Sequence, residues 1–227
     1  MFIHTPPPAP TAQQGAEFDL PYPCQFEPNR LAGAILGLAG WKLDFAGFPA
    51  LQGVVVVYPH TSNWDAVVMF LAKSACGVKV QFWCKDTLFR IPIFGAWLRW
   101  FGGMPVKRTN REGIVQQALA LFAQRKAAGQ YFWLGLAPEG TRKYLPGWRS
   151  GFYHTALSAQ VPLCLLRLDY SRREINIRHF MRLTGDVIAD MAYIASVYQG
   201  AQGLIPSNMA PVILLDAAVP RETTIVR

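Results

Sequence analysis

The chain has 227 residues, of which 52% are hydrophobic and 16% are charged, and its net charge is +8. This length suits a single domain with a substantial core, and no apolar run reaches the roughly 20 residues that a transmembrane helix needs. The four cysteines show neither zinc nor redox spacing, so we expect free thiols in a cytoplasmic protein.

The first 28 residues differ in composition from the rest of the chain. They are largely polar, contain seven prolines and lack the basic-then-apolar order of a signal peptide. We therefore expect a Pro-rich disordered arm over residues 1–28, one folded domain over 29–205 and a C-terminal tail over 206–227. Residues 209–217 in this tail could form an edge strand.

From residue 41 onward, short apolar strands alternate with helical patterns. The predicted strands are 42–46, 54–58, 79–84, 104–107, 131–137, 162–169 and 174–179. The predicted helices are 31–40, 63–75, 88–101, 111–128, 150–159 and 187–199. This alternation favours an α/β fold with a mixed, partly parallel sheet flanked by helices.

His60 and Asp65 lie where the strand 54–58 gives way to the helix that starts near residue 63. An imidazole with a carboxylate behind it can take a proton from a hydroxyl group and make the oxygen a nucleophile. In a different interpretation, Ser62 and Asp65 form a capping pattern in which Asp65 only binds backbone N–H groups. A metal-dependent hydrolase built on His60, Asp65 and Glu139 is a third interpretation, although no second His stands at ligand spacing.

A second polar stretch, Pro138-Glu139-Gly140-Thr141-Arg142, follows the predicted strand 131–137. Ligands collect at the carboxyl ends of strands in open α/β sheets, so this stretch and His60 would face one crevice if the two strands are parallel. Glycine lets a substrate approach the backbone, Glu139 and Thr141 can bind hydroxyls, and Arg142 can bind phosphate through its fork of N–H groups. The other interpretation is an ordinary turn with solvated charges.

Between Lys85 and Arg111, six Lys or Arg residues accompany one acid, Asp86, and aromatic residues are interleaved with them. This composition suits an anionic membrane surface, and the alternative is a core helix with a few solvated arginines. Nucleic acid is not an expected partner, because the chain shows no helix-turn-helix, zinc-finger or RNP pattern.

Four stretches occur in a recognisable order: His60-x-x-x-x-Asp65, then Gly-Gly-Met-Pro-Val-Lys-Arg at 102–108, then 138–142, then Val-Pro-Leu at 161–163. This order resembles the four blocks of the glycerolipid acyltransferase family, the lysophospholipid acyltransferase superfamily that includes the 1-acylglycerol-3-phosphate acyltransferases. The resemblance covers about residues 41–200. The segment 148–154 resembles the sequences of a small bacterial branch of the family.

The resemblance implies a role for each matched residue. His60 matches the catalytic histidine, Asp65 the carboxylate that orients it, and Pro162 a position near the acyl donor. The residues matched to acceptor binding are Arg108, Glu139, Gly140, Thr141 and Arg142. Two features depart from the family: Lys107 stands where members of the branch often carry an acidic or small residue, and no long two-helix membrane anchor is evident.

The function that the resemblance implies is transfer of a fatty acyl group from a thioester donor to a lysophospholipid or glycerol phosphate-type acceptor. The donor would be acyl-CoA or acyl carrier protein, acting as co-substrate with no cofactor and no metal. We expect such an enzyme to be cytoplasmic and peripheral on the inner face of the membrane. A non-catalytic membrane-surface binding protein is the alternative.

Overall fold

The computed structural model describes residues 27–106 and 111–215, with seven strands and six α-helices in these ranges. The strands are β1 (Lys42–Phe45), β2 (Gln52–Tyr58), β3 (Val80–Lys85), β4 (Gly103–Val106), β5 (Phe132–Leu136), β6 (Leu163–Asp169) and β7 (Glu174–Met181). The helices are α1 (Arg30–Leu38), α2 (Trp64–Cys76), α3 (Phe94–Trp100), α4 (Arg111–Ala127), α5 (Gly151–Ala159) and α6 (Val187–Tyr198). Two short 3₁₀ helices cover Asp86–Arg90 and Pro206–Asn208.

The strands form one mixed sheet in the order β1-β7-β6-β2-β5-β3-β4. The five strands from β6 to β4 are parallel, β7 is antiparallel to β6, and β1 is parallel to β7. The predicted α/β class with a mixed, partly parallel sheet is confirmed. The parallel strands end together at one side of the sheet, here called the carboxyl edge, and the opposite side is called the amino edge.

Strand β2 is central because apolar layers cover both of its faces, which explains its unbroken run of valines. Val54 and Val56 pack in the core beneath α4, α5 and α6, whereas Val55 packs in the core beneath α1 and α2. Because β2 is held from both sides and pairs with β5 and β6, the loop that follows it at Pro59 starts from a rigid base.

The structure differs from the sequence prediction in the region 88–101, which is not one helix. The 3₁₀ helix ends at Arg90 and α3 begins only at Phe94. Pro92 has no N–H to donate and disfavours helical geometry in the residue before it, and Ile91 is accordingly extended, with φ −76° and ψ 118°. The chain therefore makes a sharp connection between the two helical pieces.

Residues 206–215, predicted to belong to a separate tail, pack with the rest of the domain. Ala210 and Leu214 are buried, and Leu214 forms an isolated bridge with Trp148. The edge strand predicted over 209–217 is wrong for the residues up to 215, because Pro211 cannot donate to a strand ladder and pairing is limited to that bridge. Residues 1–26 and 216–227 lie outside the described residues.

None of the helices in the described parts of the chain combines the length and the apolar character needed to cross a bilayer.

The close contact between β2 and β5 predicts that a larger residue at Gly53 destabilises the fold. A Cβ at Gly53 would overlap the ring of Trp133, which is fully buried and stacked on Phe48 with ring centroids 4.1 Å apart. We expect Gly53→Ala to lower the free energy of unfolding by about 1–3 kcal/mol, because the core is overpacked. Urea denaturation measures this effect.

The matched control is Gly37→Ala in α1, where a Cβ would meet no atom within 4 Å. The same substitution there should raise stability by about 0.5–1 kcal/mol, because alanine loses less backbone entropy in a helix. Equal effects at both positions would contradict the packing argument.

Candidate active site

The centre of the site is the contact between His60, on the loop that joins β2 to α2, and Asp65, in the first turn of α2. His60 Nδ1 lies 3.2 Å from Asp65 Oδ2, with Asp65 fully buried and the imidazole 21% exposed. A carboxylate facing Nδ1 selects the tautomer that carries its hydrogen there, so Nε2 is the ring nitrogen that can accept a proton from a substrate.

Asp65 binds the backbone as well as the imidazole. Its Oδ2 accepts hydrogen bonds from the N–H groups of Thr61 at 2.7 Å and Ser62 at 2.9 Å, and its Oδ1 accepts from the Tyr170 hydroxyl at 2.8 Å. The first turn of α2 is bound by a different group, since Ser62 Oγ accepts from the N–H of Trp64 at 3.2 Å. Asp65 therefore binds backbone N–H groups and also faces the imidazole, so the capping interpretation and the catalytic interpretation do not exclude each other.

These contacts determine the charge state of the carboxylate. Burial alone would raise the pKa of Asp65, but the hydrogen bonds from His60, Ser62 and Tyr170 outweigh burial and lower this pKa below its usual value. Burial and the bond to Asp65 both raise the pKa of Tyr170. Asp65 is therefore an ionised acceptor, and Tyr170 is a neutral donor that follows β6 at the same edge of the sheet.

Glu139 connects the loop after β5 to the loop after β2. Because β2 and β5 are parallel neighbours, His60 and the stretch 138–142 follow the same end of the sheet and face one crevice. Glu139 is 1% exposed, and its carboxylate accepts from the N–H of His60 at 2.7 Å and from that of Ala210 at 3.1 Å. Burial raises the pKa of Glu139 to about 7, although both backbone bonds oppose the rise.

The carboxylate of Glu139 thus holds backbone, while acceptor binding by this residue stays a prediction. Gly140 has φ +64°, and a Cβ on it would lie 2.8 Å from Arg149 Nε, so glycine makes room for this guanidinium. Thr141 Oγ1 accepts from the N–H of Lys143 at 3.2 Å. Arg142 is exposed to solvent, where it can meet an anionic group.

Residues 201–215 complete the site, although sequence reasoning placed most of them in a tail. The N–H of Ile205 donates to Thr61 Oγ1 at 3.2 Å, and the carbonyl of Ala210 accepts from the Tyr58 hydroxyl at 2.8 Å. Gly203 packs so closely that a Cβ there would lie 2.7 Å from the Thr61 side chain. These contacts are made largely by peptide groups, which leave no signature in a sequence.

Pro162, matched to the fourth block, lies at the amino edge of the sheet. Pro162 precedes β6 and its carbonyl accepts from Val54 at the start of β2, whereas His60 follows the other end of β2. About five residues of parallel strand, roughly 16 Å, separate them, and the expected position of Pro162 near the acyl donor stays a prediction. Arg108 lies outside the described residues.

No group of three or more His, Cys, Asp or Glu side chains that could hold a metal ion is found within residues 27–106 and 111–215. His60, Asp65 and Glu139 are neighbours, but Glu139 directs its two oxygens at backbone N–H groups. Tyr170 was missed by sequence reasoning, and its position directly after a parallel strand is the signal that could have pointed to it.

Comparison with known proteins relates this site to a family. A solved structure, the 1-acyl-sn-glycerophosphate (LPA) acyltransferase PlsC from Thermotoga maritima, is similar over 75% of this chain and 74% of that one, with 16% identity and a TM-score of 0.49. Comparison with curated proteins gives no match. The family model described as Acyltransferase matches residues 45–166, more than half of the chain, and this range contains His60, Asp65 and the loop after β5. The chain belongs to the acyltransferase family.

Proposed function

We propose that this protein moves a fatty acyl group from a thioester donor to the hydroxyl of a lysophospholipid or glycerol phosphate-type acceptor. In this mechanism His60 is the general base and Asp65 orients it. The observation that supports the proposal is the 3.2 Å contact between a partly exposed imidazole and a fully buried carboxylate, at the carboxyl edge of the sheet in a member of the acyltransferase family.

The reaction proceeds by direct transfer. The acceptor hydroxyl gives its proton to His60 Nε2, and its oxygen attacks the thioester carbonyl carbon. The C–S bond then breaks, and the departing sulfur takes the proton from the imidazolium to become a thiol. Asp65 stabilises the imidazolium through Nδ1–H while the positive charge is present. The sequence has no Gly-x-Ser-x-Gly elbow for a serine acyl-enzyme.

The helix that follows the site contributes to stabilisation of the oxyanion through its field. The peptide N–H groups of Thr61, Ser62 and Trp64 at the start of α2 are bound to Asp65 and to Ser62 Oγ, so they do not serve as donors to the oxyanion. The positive end of the α2 dipole still points at the carboxyl edge, where the negative oxygen would form.

Substrate recognition follows from the charges near the site. Arg142 is exposed beside the crevice and would bind the acceptor phosphate, together with Arg108 from the second block. Acyl-CoA or acyl carrier protein would serve as the donor, since both are acidic and the net charge of this chain is +8. No cofactor enters the proposed steps. The basic and aromatic region 85–111 suits work at an anionic membrane surface.

Removal of the base tests the chemistry directly. His60→Ala should lower kcat by about 10²- to 10⁴-fold, the usual contribution of general-base catalysis. The assay supplies lysophosphatidic acid with a panel of acyl-CoA and acyl carrier protein donors and detects the product by mass. The matched control is His154→Ala, at an exposed position on α5. Near-normal acyl transfer by His60→Ala would refute the mechanism, and an inactive wild type that binds vesicles would favour the non-catalytic alternative.

Tyr170 should act as a positioning residue through Asp65. Tyr170→Phe removes one donor to the carboxylate, so we expect kcat to fall roughly three- to thirtyfold while KM changes little, because the hydroxyl donates to Asp65 and would act through it. Steady-state kinetics and urea denaturation are measured on the same preparations.

The control for this prediction is Tyr153→Phe, which removes a comparable buried bond to Asp190, 2.7 Å long and on the opposite face of the sheet. It should lower stability by about 1–3 kcal/mol and leave kcat unchanged. A similar loss of kcat in both variants would show that Tyr170 has only a structural role.

The pKa of Glu139 predicts a pH dependence of stability. Its carboxyl group titrates near 7 in the folded protein and near 4.5 when unfolded, so the folded state binds more protons between these values. The free energy of unfolding should therefore fall as the pH rises from about 4.5 to 7, by about 1–3 kcal/mol from this group. In Glu139→Gln this contribution disappears. A stability difference between wild type and variant that stays constant across this pH range would contradict the prediction.

A further inference from the structure

Large apolar side chains are exposed around the site at the carboxyl edge. They come from separate elements: Leu38 ends α1 and is 91% exposed, Trp64 starts α2 and is 64% exposed, and Ile93 precedes α3 and is 87% exposed. Leu204 and Ile205, after α6, are each 42% exposed. We call these five residues the apolar collar.

The fold brings the ends of α1 and α2 to this edge. The carbonyl of Ala39 accepts from Arg173 Nη1 at 3.1 Å, and Arg173 lies in the turn that follows β6. Leu38, next to Ala39, therefore stands at the end of the sheet where the parallel strands finish. Trp64 is four positions after His60 and begins the helix that the catalytic loop leads into.

The other members of the collar reach the same edge from two directions. Ile93 lies in the connection that leaves the carboxyl end of β3 at Lys85, and β3 is separated from β2 only by β5. Ile205 donates its N–H to Thr61 Oγ1 at 3.2 Å, directly beside His60 in the chain. The collar thus flanks the mouth of the crevice on both sides.

Ile93 is held outward by a strained backbone. Its φ of 63° and ψ of −57° are unfavourable for a β-branched residue, which rarely adopts positive φ. Two bonds close the turn around it: the N–H of Phe94 donates to the carbonyl of Pro92 at 2.6 Å, and the N–H of Gly95 donates to that of Ile91 at 2.8 Å. In water alone the fold gains nothing by presenting an isoleucine in this way, so the tip of the connection suits a surface that buries it.

The charges around the collar indicate the chemistry of that surface. Among the described residues, the exposed cations at this edge include Lys85 beside the Ile93 connection, Arg142 and Lys143 in the loop after β5, and Arg173 in the turn after β6. Of the nearby acids, Asp65 and Glu139 are buried, and Asp86 lies 3.7 Å from Arg90 in an ion pair whose two charges offset each other. Apolar residues ringed by cations match an anionic lipid surface.

We infer that the apolar collar docks this protein on an anionic lipid bilayer with His60 facing the membrane. The benefit to catalysis rests on the proposed function: a lysophospholipid could present its hydroxyl to the imidazole while its acyl chain stays in the lipid. Docking itself requires only the collar and the cations. The inference extends beyond the basic region 85–111, because the collar includes the ends of α1 and α2 and the segment after α6.

Vesicle co-sedimentation with the full chain tests the inference. The vesicles contain phosphatidylcholine alone or in equal parts with phosphatidylglycerol, and no acyl donor is present. Leu38→Gln and Ile93→Gln should each weaken binding to the mixed vesicles about tenfold, and the double variant more strongly. Phosphatidylcholine alone or high salt should weaken binding of the wild type.

The matched control is Ile188→Gln. Ile188 is 84% exposed but begins α6, which follows β7 and therefore starts at the amino edge. This variant should bind like the wild type. Equal loss in Ile188→Gln, unchanged binding in the double variant, or equal binding to neutral and mixed vesicles would overturn the inference. The inference would also be overturned if the wild type did not bind vesicles but formed dimers in light scattering, and the double variant was monomeric.

Two measurements separate this inference from the proposed chemistry. His60→Ala should bind vesicles like the wild type, and the Leu38→Gln/Ile93→Gln double variant should transfer short acyl chains to a water-soluble acceptor without vesicles. If His60→Ala keeps its activity while the vesicle results stand, the general-base proposal fails and docking survives. If the vesicle results fail while His60→Ala is inactive, only the docking inference fails.

Discussion

The geometry of the site depends on the hydrogen bonds that the buried carboxylate of Asp65 accepts. A charge removed from water is strongly unfavourable unless donors surround it, and Asp65 has four: the imidazole of His60, the N–H groups of Thr61 and Ser62, and the Tyr170 hydroxyl. These donors come from the β2–α2 loop and from the end of β6. The hydrogen bonds to this one carboxylate hold the β2–α2 loop in place, orient the imidazole of His60 and connect the end of β2 to the end of β6.

Glu139 is a second buried carboxyl group, and its pKa is shifted in the opposite direction from that of Asp65. Hydrogen bonds lower the pKa of Asp65 in spite of its burial, whereas burial dominates at Glu139 and raises its pKa to about 7. Asp65 therefore supplies permanent negative charge to the imidazole, while Glu139 joins the backbone of the β2 and β5 loops to Ala210. Two carboxyl groups in one crevice can hold different protonation states because their surroundings differ.

Much of the fold could be predicted from the sequence, and the errors have local causes. All seven predicted strands in the described residues occur, since short apolar runs between turn residues are a strong signal. The helix predicted over 88–101 is interrupted at Pro92, which has no N–H to donate and disfavours helical geometry in the residue before it. The pairing of His60 with Asp65 was predictable from spacing and from the strand before it. Tyr170 and Ala210 were not, because contacts between residues this far apart depend on the packed fold.

The segment after α6 has a consequence for how this chain can be divided. Residues 201–215 lie beyond the range 45–166 that carries the family pattern, yet their peptide groups bind Thr61, Tyr58 and Glu139. Because peptide groups make these bonds, the side chains of the segment can diverge among relatives without loss of the contacts. A shortened protein that ends at residue 166 would keep the family pattern, but it would lose the peptide groups of 201–215 that hold the residues next to His60.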